Sequence, residues 1–598
     1  MLNNVMNLKR LRIGPYELCM LALVVAATLA RFVLISYNWP VTNSDEGNMG
    51  LLALHVAFRG EHPIFFYGLP YMGPLEGYIA APLFHLFGVS LFSLRLGLLL
   101  LFPFFLIAMY YLTRLLYTEK LALFVVVLLS FGSSELLGRQ LKAVGEYPET
   151  ELFAALICLM VAWFALSYHS YSQDVMARAR LRRILAYGFL GLIVGLALWV
   201  DFLILPFVGM GALLLLLFCR RELRSWTGLS LLLGIIIGVF PLIIYNVSAP
   251  PGRNSLNVLI DITRSGTQIM VAQHIPRIRE LIGALLIALP AATGYNPLCP
   301  AEVFPLFGPS TAATAQCVAL QGAWSAGFLA LGVIAAIPAL ALVWRCWLRR
   351  RAQAERSFEE QQDLIRQCAR LMLLISAGGT LVLYATSPSA ALYPGPTARY
   401  LTCLLIALPA VLWPLWKGVE RYLASGEPVL RRGHGTVLHD EAASLWHDGA
   451  RGFFVFRVAA LALVLAVFVM GTISTFSSIP QAEQAYNQEE ALIQDLLHIG
   501  ATRIYSEYWT CNRLTFHSQE RIICSSLSED LGPGFDRYAP YGAIVRSSPH
   551  PVYVFPIGSA QAAAMAHAVS SQHIQYRRYL FYGYVVYQPA TPVKAPLH

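Results

Sequence analysis

The stretch Asn43-Ser44-Asp45-Glu46-Gly47 directly follows the first long apolar run of the chain, residues 16–36. It places two adjacent carboxylates, Asp45 and Glu46, where the chain should leave a membrane on the side away from the cytoplasm. Ionisable groups at a membrane surface are costly, so they usually serve a function. A polar residue just before them can also cap a helix reaching Arg59, because acids in a first turn suit the helix dipole. The stretch therefore predicts a capped helix that carries a positioned acid.

The composition is typical of a polytopic membrane protein. Of 598 residues, 57% are hydrophobic and 13% are charged, and the mean hydropathy is +0.58. A soluble domain carries about 25% charged residues. The net charge of +9 falls mostly in short loops between apolar runs, which is how a membrane protein encodes its orientation. The composition thus gives no reason to expect a nucleic-acid partner.

Eleven apolar runs in the sequence can cross a membrane, since a span needs about 20 residues. We place them at 16–36, 91–116, 120–138, 149–169, 184–200, 202–219, 226–247, 323–347, 367–387, 398–416 and 453–475. By the positive-inside rule the N-terminus is cytoplasmic and the segment after the last span is extracytoplasmic. The expected fold class is mostly α, with about 11 transmembrane helices, amphipathic helices on the outer face and a small C-terminal α/β domain.

Two long segments between the spans should lie on the outer face, 37–90 and 248–322. In the first, residues 62–88 mix polar and aromatic side chains with glycine, which is typical of helices lying in the membrane interface. In the second, the apolar run 281–294 is too short for a span, and we interpret it as a re-entrant or surface helix. Together with the spans these loops form one transmembrane domain, residues 1–476.

Residues 477–598 have a soluble composition and predict a small extracytoplasmic α/β domain. A helix over 481–498 comes first and another over 560–570 precedes the last strand, by their apolar spacing. The β-rich runs are 503–509, 521–527, 552–556 and 579–587. The tyrosines and Trp509 can either stack on sugar rings or fill the core of this domain. Two outer cysteine pairs suit disulfides in an oxidising compartment: Cys299 with Cys317, and Cys511 with Cys524.

The motifs that follow the first span resemble those of a known superfamily. They are Asp45-Glu46, then Tyr67-Gly68, Tyr71-Met72-Gly73-Pro74-Leu75-Glu76-Gly77-Tyr78 and Phe87-Gly88-Val89-Ser90. Over residues 43–95 the chain resembles the GT-C glycosyltransferases, above all the bacterial group of protein mannosyltransferases and the lipid A aminoarabinose transferase. The resemblance implies a hexosyl- or pentosyl-type transferase of the plasma (inner) membrane. Its donor would be a sugar on a polyprenyl phosphate, used at the outer face.

The resemblance also implies roles for individual residues. Asp45 would act as, or position, the catalytic base, with Glu46 as its neighbour and Glu146 as a second acid, a place for which Glu149 competes. A carboxylate can take the proton of an acceptor hydroxyl, whereas the departing prenyl phosphate needs charge stabilisation. The substrate-binding residues would be Tyr67, Tyr71, Glu76 and Tyr78 around the pocket, and Arg139, Lys142, Arg399 and Tyr400 toward the lipid phosphate.

Other polar residues near these motifs have ordinary interpretations. Asp201 is either a turn residue or a further site acid, and Arg95 is expected to be an anchor in the membrane interface. The spacing of His55, His62 and His85 does not form a ligand face. We therefore expect no metal cofactor, although some GT-C relatives use a divalent cation.

A lipid-linked glycan flippase or a polytopic transporter would share the same number of spans. Such proteins need polar residues through the centres of their spans, whereas the charges of this chain gather at the outer ends. That distribution favours chemistry at the membrane surface over passage through it. The sequence leaves open which sugar is moved and whether the acceptor is a glycan, a lipid or a protein.

Overall fold

The computed structural model describes residues 14–168, 177–295, 312–351, 358–425, 440–571 and 575–592. Within these ranges nine helices are long and apolar enough to cross a membrane: Pro15–Ser36, Leu91–Leu116, Tyr147–Ser167, Arg180–Val200, Trp226–Ser248, Ala315–Arg345, Phe358–Ala385, Pro394–Leu423 and Gly452–His498. The two other predicted spans correspond to a bent helix pair, Glu119–Ser130 with Ser134–Leu141, and to the shorter apolar helix Phe202–Phe218. Every predicted span is helical, which confirms the mostly α, polytopic fold class.

Shorter helices lie between the spans. The first loop, residues 37–90, contains Ser44–Arg59 and Leu75–Phe87, and the long loop after Ser248 contains Ser255–Ala272. The predicted apolar helix is formed by Ile278–Gly283, the π-helical Ala284–Ala288 and Leu289–Ala292. The remaining bounds are Ala177–Val200, Phe202–Ile204, Leu205–Phe218, Arg220–Leu223, Ala312–Arg351, Pro388–Leu392, Pro394–Thr397, Ala398–Ala407, Leu408–Ser425, Asp440–Ser477 and Ile479–His498.

The bent helix pair determines where the chain between the third and fourth predicted spans lies. Its helices meet at 84° across residues 131–133, and unpaired backbone groups cost several kcal/mol each in an apolar medium. The buried Arg31 donates hydrogen bonds to the carbonyls of Leu129 at 3.2 Å and Ser130 at 3.0 Å. The same guanidinium donates to Gln140 Oε1 at 2.8 Å. Arg31 therefore holds both arms of the break.

The C-terminal domain is built on a five-stranded sheet with the order β2-β1-β3-β5-β4. β1 pairs in parallel with β2 and β3, and β5 pairs in antiparallel fashion with β3 and β4. The strands are β1 Arg503–Ser506, β2 Ile523–Ser526, β3 Val552–Pro556, β4 Tyr576–Phe581 and β5 Tyr584–Pro589. The helices are Tyr508–His517, Ala539–Arg546 and Ala560–Ser571.

Two predicted strands of this domain were wrong in extent. The run 503–509 ends as a strand at Ser506, because Glu507 caps the next helix by accepting a hydrogen bond from Trp509 N at 2.7 Å. The run 579–587 is not one strand but parts of β4 and β5, which a tight turn joins. Gly583 takes a φ of +85° there, a conformation that glycine adopts without strain.

The cysteines and aromatic residues of the C-terminal domain have clear structural places. Cys511 and Cys524 form the predicted disulfide, which ties helix Tyr508–His517 to β2. Cys317 is also disulfide-bonded, while Cys299 lies outside the described residues. Several tyrosines fill the core, namely Tyr505, Tyr541, Tyr553 and Tyr587. Trp509, in contrast, is 56% exposed.

Replacing Arg31 by methionine should destabilise the whole membrane domain. The variant loses hydrogen bonds from a charged donor to Leu129, Ser130 and Gln140, each worth about 1.5–3 kcal/mol. We expect a lower Tm for the detergent-solubilised protein. Leu29→Met is the matched control, because Leu29 lies on the same helix and is 58% exposed. Equal melting of the two variants would contradict this account of the break.

Candidate active site

Asp45 lies in the first turn of helix Ser44–Arg59. Asn43 caps this helix, since its side-chain oxygen accepts a hydrogen bond from the backbone N–H of Glu46 at 3.0 Å. The side chain of Asp45 is nearly buried, and its Oδ1 accepts hydrogen bonds from Arg537 Nη2 at 2.7 Å and from the Tyr508 hydroxyl. Among the described residues no donor reaches the other oxygen, Oδ2. The predicted helix is confirmed, and its acid is held on one side only.

Glu46, the adjacent acid, is fully buried in a bidentate ion pair. Arg95 Nε donates to Oε1 at 2.8 Å and Arg95 Nη2 donates to Oε2 at 2.7 Å. Burial opposes ionisation, but the charge of Arg95 more than offsets it, so the pKa of Glu46 lies below its ordinary value. Arg95 also donates to the carbonyls of Asn38 and Pro40. The expectation that Arg95 is an interface anchor was wrong, because this side chain is fully buried.

Backbone amides of the second loop, residues 142–146, bind the acids of the first. Ala143 N donates to Glu46 Oε1 at 3.2 Å, and Gly145 N donates to Glu76 Oε2 at 2.9 Å. The next residue, Glu146, has a φ of +64°. A side chain other than glycine rarely adopts this left-handed conformation, and such outliers cluster at functional sites. The two loops are therefore locked together by buried carboxylates.

Four buried carboxyl groups meet between these loops: Glu76, Glu146, Glu149 and Asp201. Each has a buried oxygen that accepts no hydrogen bond. Burial, and then the neighbouring Glu149, raises the pKa of Glu76 well above its ordinary value. Burial, followed by Asp201 and Glu76, does the same to the pKa of Glu146, and burial raises the pKa of Asp201 to about 7. Near neutral pH Glu76 and Glu146 of this acid cluster therefore hold their protons, while Asp201 is only partly protonated.

Three basic side chains lie beside the acids. Lys142 and Arg399 form no salt bridge within the described ranges, and Arg139 reaches Glu135 at 3.5 Å only. Lys142 and Arg139 both interact electrostatically with Arg399. Burial lowers the pKa of Lys142 more than the charge of Glu46 raises it. These cations repel one another and are short of counter-charge, which is the condition for binding an anion.

Arg399 connects the basic cluster to Asp45. Its guanidinium lies over the rings of Tyr147 at 5.5 Å and Tyr400 at 5.8 Å, and it interacts electrostatically with Asp45. Its Nε is buried without a hydrogen-bond partner. Tyr71 lies within electrostatic reach of Tyr400. The structure thus brings Asp45, Arg399, Tyr400 and Tyr71 into one place.

Two predicted pocket residues point their hydroxyls elsewhere. The Tyr67 hydroxyl donates to Glu61 Oε2 at 2.7 Å and lies 2.9 Å from His55 Nδ1. The Tyr78 hydroxyl donates to the carbonyl of Pro63 at 3.0 Å. Tyr67 therefore belongs to the interface between the first loop and the C-terminal domain, where His55 also contacts Glu520 at 3.1 Å.

Sequence reasoning missed the two residues that touch Asp45. Arg537 lies 492 residues further along the chain, and Tyr508 comes from the start of a helix in the same domain. Nothing local to either residue marks it as part of a site. The turn interpretation of Asp201 is confirmed, since its Oδ1 accepts a hydrogen bond from Leu203 N at 2.9 Å. Its Oδ2 is buried beside the other acids without a hydrogen-bond partner, and a role as a site acid stays a prediction.

Carboxylates are suitable ligands for divalent cations in general. In the part of the chain that the structure describes, no three His, Cys, Asp or Glu side chains are placed to hold one ion. The expectation of a metal-free site stays a prediction.

No protein-family model and no curated protein matches the chain, but solved structures do. ArnT from Cupriavidus metallidurans bound to undecaprenyl phosphate is 14% identical, with a TM-score of 0.49 over 95% of this chain and 97% of that chain. The oligosaccharyltransferase AglB from Archaeoglobus fulgidus, with an inhibitory peptide and dolichol phosphate, is 13% identical, with a TM-score of 0.47 over 95% and 74%. Both are GT-C enzymes, the superfamily that residues 43–95 resemble. With identities this low and TM-scores below 0.5, the similarity assigns no activity to this chain.

Glu46→Gln should destabilise the protein strongly, because it leaves the buried charge of Arg95 unpaired. Breaking one partner of a buried ion pair costs about 3–5 kcal/mol, and we expect a lower Tm in detergent and lower abundance in membranes. The double variant Glu46→Gln/Arg95→Met removes the unpaired charge and should recover part of the loss. If Glu46→Gln melts like the wild type, the pair does not hold the loops together.

Proposed function

We propose that this protein is a glycosyltransferase that moves a hexosyl or pentosyl group from a polyprenyl-phosphate donor to an acceptor. The reaction takes place at the end of the helix bundle that the C-terminal domain covers, which we assign to the extracytoplasmic face of the plasma membrane. The observation that carries the proposal is one arrangement: Asp45, which is ion-paired with Arg537, lies within electrostatic reach of Arg399, a buried cation that forms no salt bridge within the described residues.

Asp45 is the best base among the candidate acids. A general base must be ionised before it can take a proton, and Asp45 is paired with Arg537. Glu46 is ionised too, but Arg95 and Ala143 N occupy its oxygens. Burial favours the protonated forms of Glu76 and Glu146. Among the candidate acids, an ion pair and an oxygen that no described donor reaches coincide at Asp45.

Arg399, Lys142 and Arg139 are suited to the phosphate of the donor. A polyprenyl phosphate presents an anion at the membrane surface and leaves its chain in the lipid. Arginine binds phosphate through its planar fork, and lysine binds it as a point charge. The ring of Tyr400, at 5.8 Å, and that of Tyr147 stack on Arg399 and fix its plane. These residues would stabilise the charge that develops on the phosphate.

The reaction itself balances without a further reactant. The acceptor oxygen attacks the anomeric carbon while the bond from that carbon to the phosphate oxygen breaks. The proton of the acceptor hydroxyl passes to Oδ2 of Asp45, and the polyprenyl phosphate leaves as an anion beside Arg399. In this proposal side-chain cations stabilise the leaving group, so no metal is required.

The acid cluster suits the sugar of the donor. Protonated carboxyl groups can donate and accept hydrogen bonds, as sugar hydroxyls do. Glu76 and Glu146, together with the partly protonated Asp201, therefore form a polar wall of low charge next to the charged part of the site. Tyr71, which lies near Glu146 and Asp201, would close this wall. The identity of the sugar depends on the hydrogen bonds made here.

Asp45→Asn should reduce transfer by about 10²–10⁴-fold, the usual contribution of a general base. The amide keeps an oxygen for Arg537 and Tyr508 but leaves the buried charge of Arg537 unpaired, so Tm should fall and transfer is compared per amount of folded protein. We would measure lipid extracts of cells lacking the protein by mass spectrometry, after rescue with wild type or variant. A prenyl-phosphate sugar should accumulate in the null and with Asp45→Asn, and fall with wild type.

The exposed acid Asp261 provides the control for this experiment. Its side chain is 65% exposed on helix Ser255–Ala272, and Asp261→Asn should rescue fully. If Asp45→Asn also rescues fully, Asp45 is structural and the flippase interpretation replaces the transferase.

Binding of undecaprenyl phosphate should weaken as the pH rises, because Lys142 loses its proton. The pKa of Lys142 lies below the ordinary 10.5, so its charge is present at low pH and is lost earlier than that of a free lysine. Above the second pKa of the phosphate, about 6, Lys142→Arg should keep its affinity over the alkaline range in which the wild type weakens, since arginine stays protonated. Arg399→Gln should bind more weakly at every pH. Identical profiles for wild type and Lys142→Arg, measured with the protein in nanodiscs, would remove Lys142 from the phosphate site.

A further inference from the structure

The C-terminal domain packs directly on the helix that carries Asp45. A side chain at Gly47 would collide with the backbone of Arg513, since a Cβ built there lies 2.6 Å from its Cα. One turn further, a Cβ at Gly50 would lie 2.5 Å from the Phe516 ring. Asn512 N donates to Ser44 Oγ at 3.2 Å. The two helices approach this closely only because the first presents glycines.

Arg537 is held rigidly over the same helix. The preceding residue, Asp536, accepts hydrogen bonds from Ser525 Oγ and Ser526 N, both at 2.7 Å, which anchors the loop to β2. The Arg537 guanidinium lies over the rings of Phe66 at 5.1 Å and Phe535 at 5.3 Å. Its side chain is 7% exposed. This buried arginine forms an ion pair with one acid among the described residues.

That acid is Asp45. Among the described residues, donors reach only one of its oxygens, Oδ1. Arg537 Nη2 and the Tyr508 hydroxyl both donate to Oδ1, and Arg537 Nε donates to the Tyr508 oxygen at 2.7 Å. The three groups form a closed triangle of hydrogen bonds. Arg399 also interacts electrostatically with Asp45.

We propose that Arg537 and Tyr508 are positioning residues of the active site, which hold Oδ1 of Asp45 so that Oδ2 stays open and is directed to the acceptor hydroxyl. The inference rests on the proposed function. It makes the C-terminal domain part of the catalytic centre instead of a separate module.

The charge of Arg537 has a second effect on turnover. When Oδ2 takes the proton of the acceptor, Asp45 becomes neutral and Arg537 loses its counter-charge. Release of that proton to water restores the ion pair and completes the cycle.

The test uses full-length wild type and the variants Arg537→Gln, Arg537→Lys and Tyr508→Phe in liposomes. The probe is the lipid extract of cells lacking the protein, with membranes of those cells supplying the acceptor. We would follow loss of the prenyl-phosphate sugar by mass spectrometry as a function of donor concentration. The control is Arg513→Gln, which breaks another ion pair of the same domain, Arg513 with Glu489 at 3.1 Å, without touching Asp45.

We expect Arg537→Gln to lower kcat by at least about tenfold with little change in KM, because the base loses its fixed orientation. Arg537→Lys keeps the charge but not the fork, so it should restore part of kcat. Tyr508→Phe should lower kcat less than Arg537→Gln. Arg513→Gln should leave kcat near the wild-type value whatever it does to Tm.

Two results would contradict the inference. If Arg537→Gln only lowers Tm and its kcat matches that of Arg513→Gln, Arg537 is a structural residue and the inference is wrong. If the wild type itself does not consume the donor lipid, both the proposed function and the inference fail. Wild-type turnover with an unchanged kcat for Arg537→Gln separates the two failures.

Discussion

The buried pair between Glu46 and Arg95 is the contact on which the site depends. Removing two charges from water is expensive, and it is offset only when every donor and acceptor is paired. Arg95 meets this condition by binding Glu46 and the carbonyls of residues 38–40, while Glu46 also accepts from Ala143 N. The end of the first span, the first-loop helix, the second span and the second loop meet at this pair. Asp45, the adjacent residue, is fixed as a result.

Burial without a cation has the opposite effect on the other acids. Desolvation disfavours a charged carboxyl group, so its pKa rises until the proton stays on. Glu76, Glu146 and Asp201 lie in such surroundings, only a loop away from Asp45 and its arginine. Burial with a paired arginine and burial without one thus move the pKa of neighbouring acids in opposite directions. The proposed division between a base and a sugar-binding wall rests on which acids are ion-paired.

The backbone inside the bundle obeys the same rule, that buried polar groups need partners. A helix that breaks in an apolar medium must find partners for its free carbonyls, and Arg31 supplies them for residues 129–130. The break turns helix Ser134–Leu141 by 84° and so carries Arg139 and Lys142 into the site. Basic residues reach the acids because a span is interrupted, and the interruption is stable because an arginine is buried within it.

Features that depend on neighbouring residues could be predicted from the sequence. A span is a run of about 20 apolar residues, so nine of the eleven predicted spans are described as helices long enough to cross a membrane, whereas 120–138 is a bent pair and 202–219 a shorter helix. The cap at Asn43 and the helix it starts are likewise local, and so were the helices at 481–498 and 560–570. Asp45 stood out because two acids beside a span are unusual. Its neighbours in the second loop could be expected from the resemblance, but their protonation could not.

Only the tertiary structure could decide the contacts between distant segments. Arg95 was expected at the interface, yet it is buried, because its partner comes from another element of the fold. Arg537 is separated from Asp45 by 492 residues, and no periodicity links them. The ionisation of each acid is a property of the space around it, which forms when the loops and the C-terminal domain close on one another. Hydropathy and capping act over a few residues, whereas desolvation and ion pairing act between residues that only folding brings together.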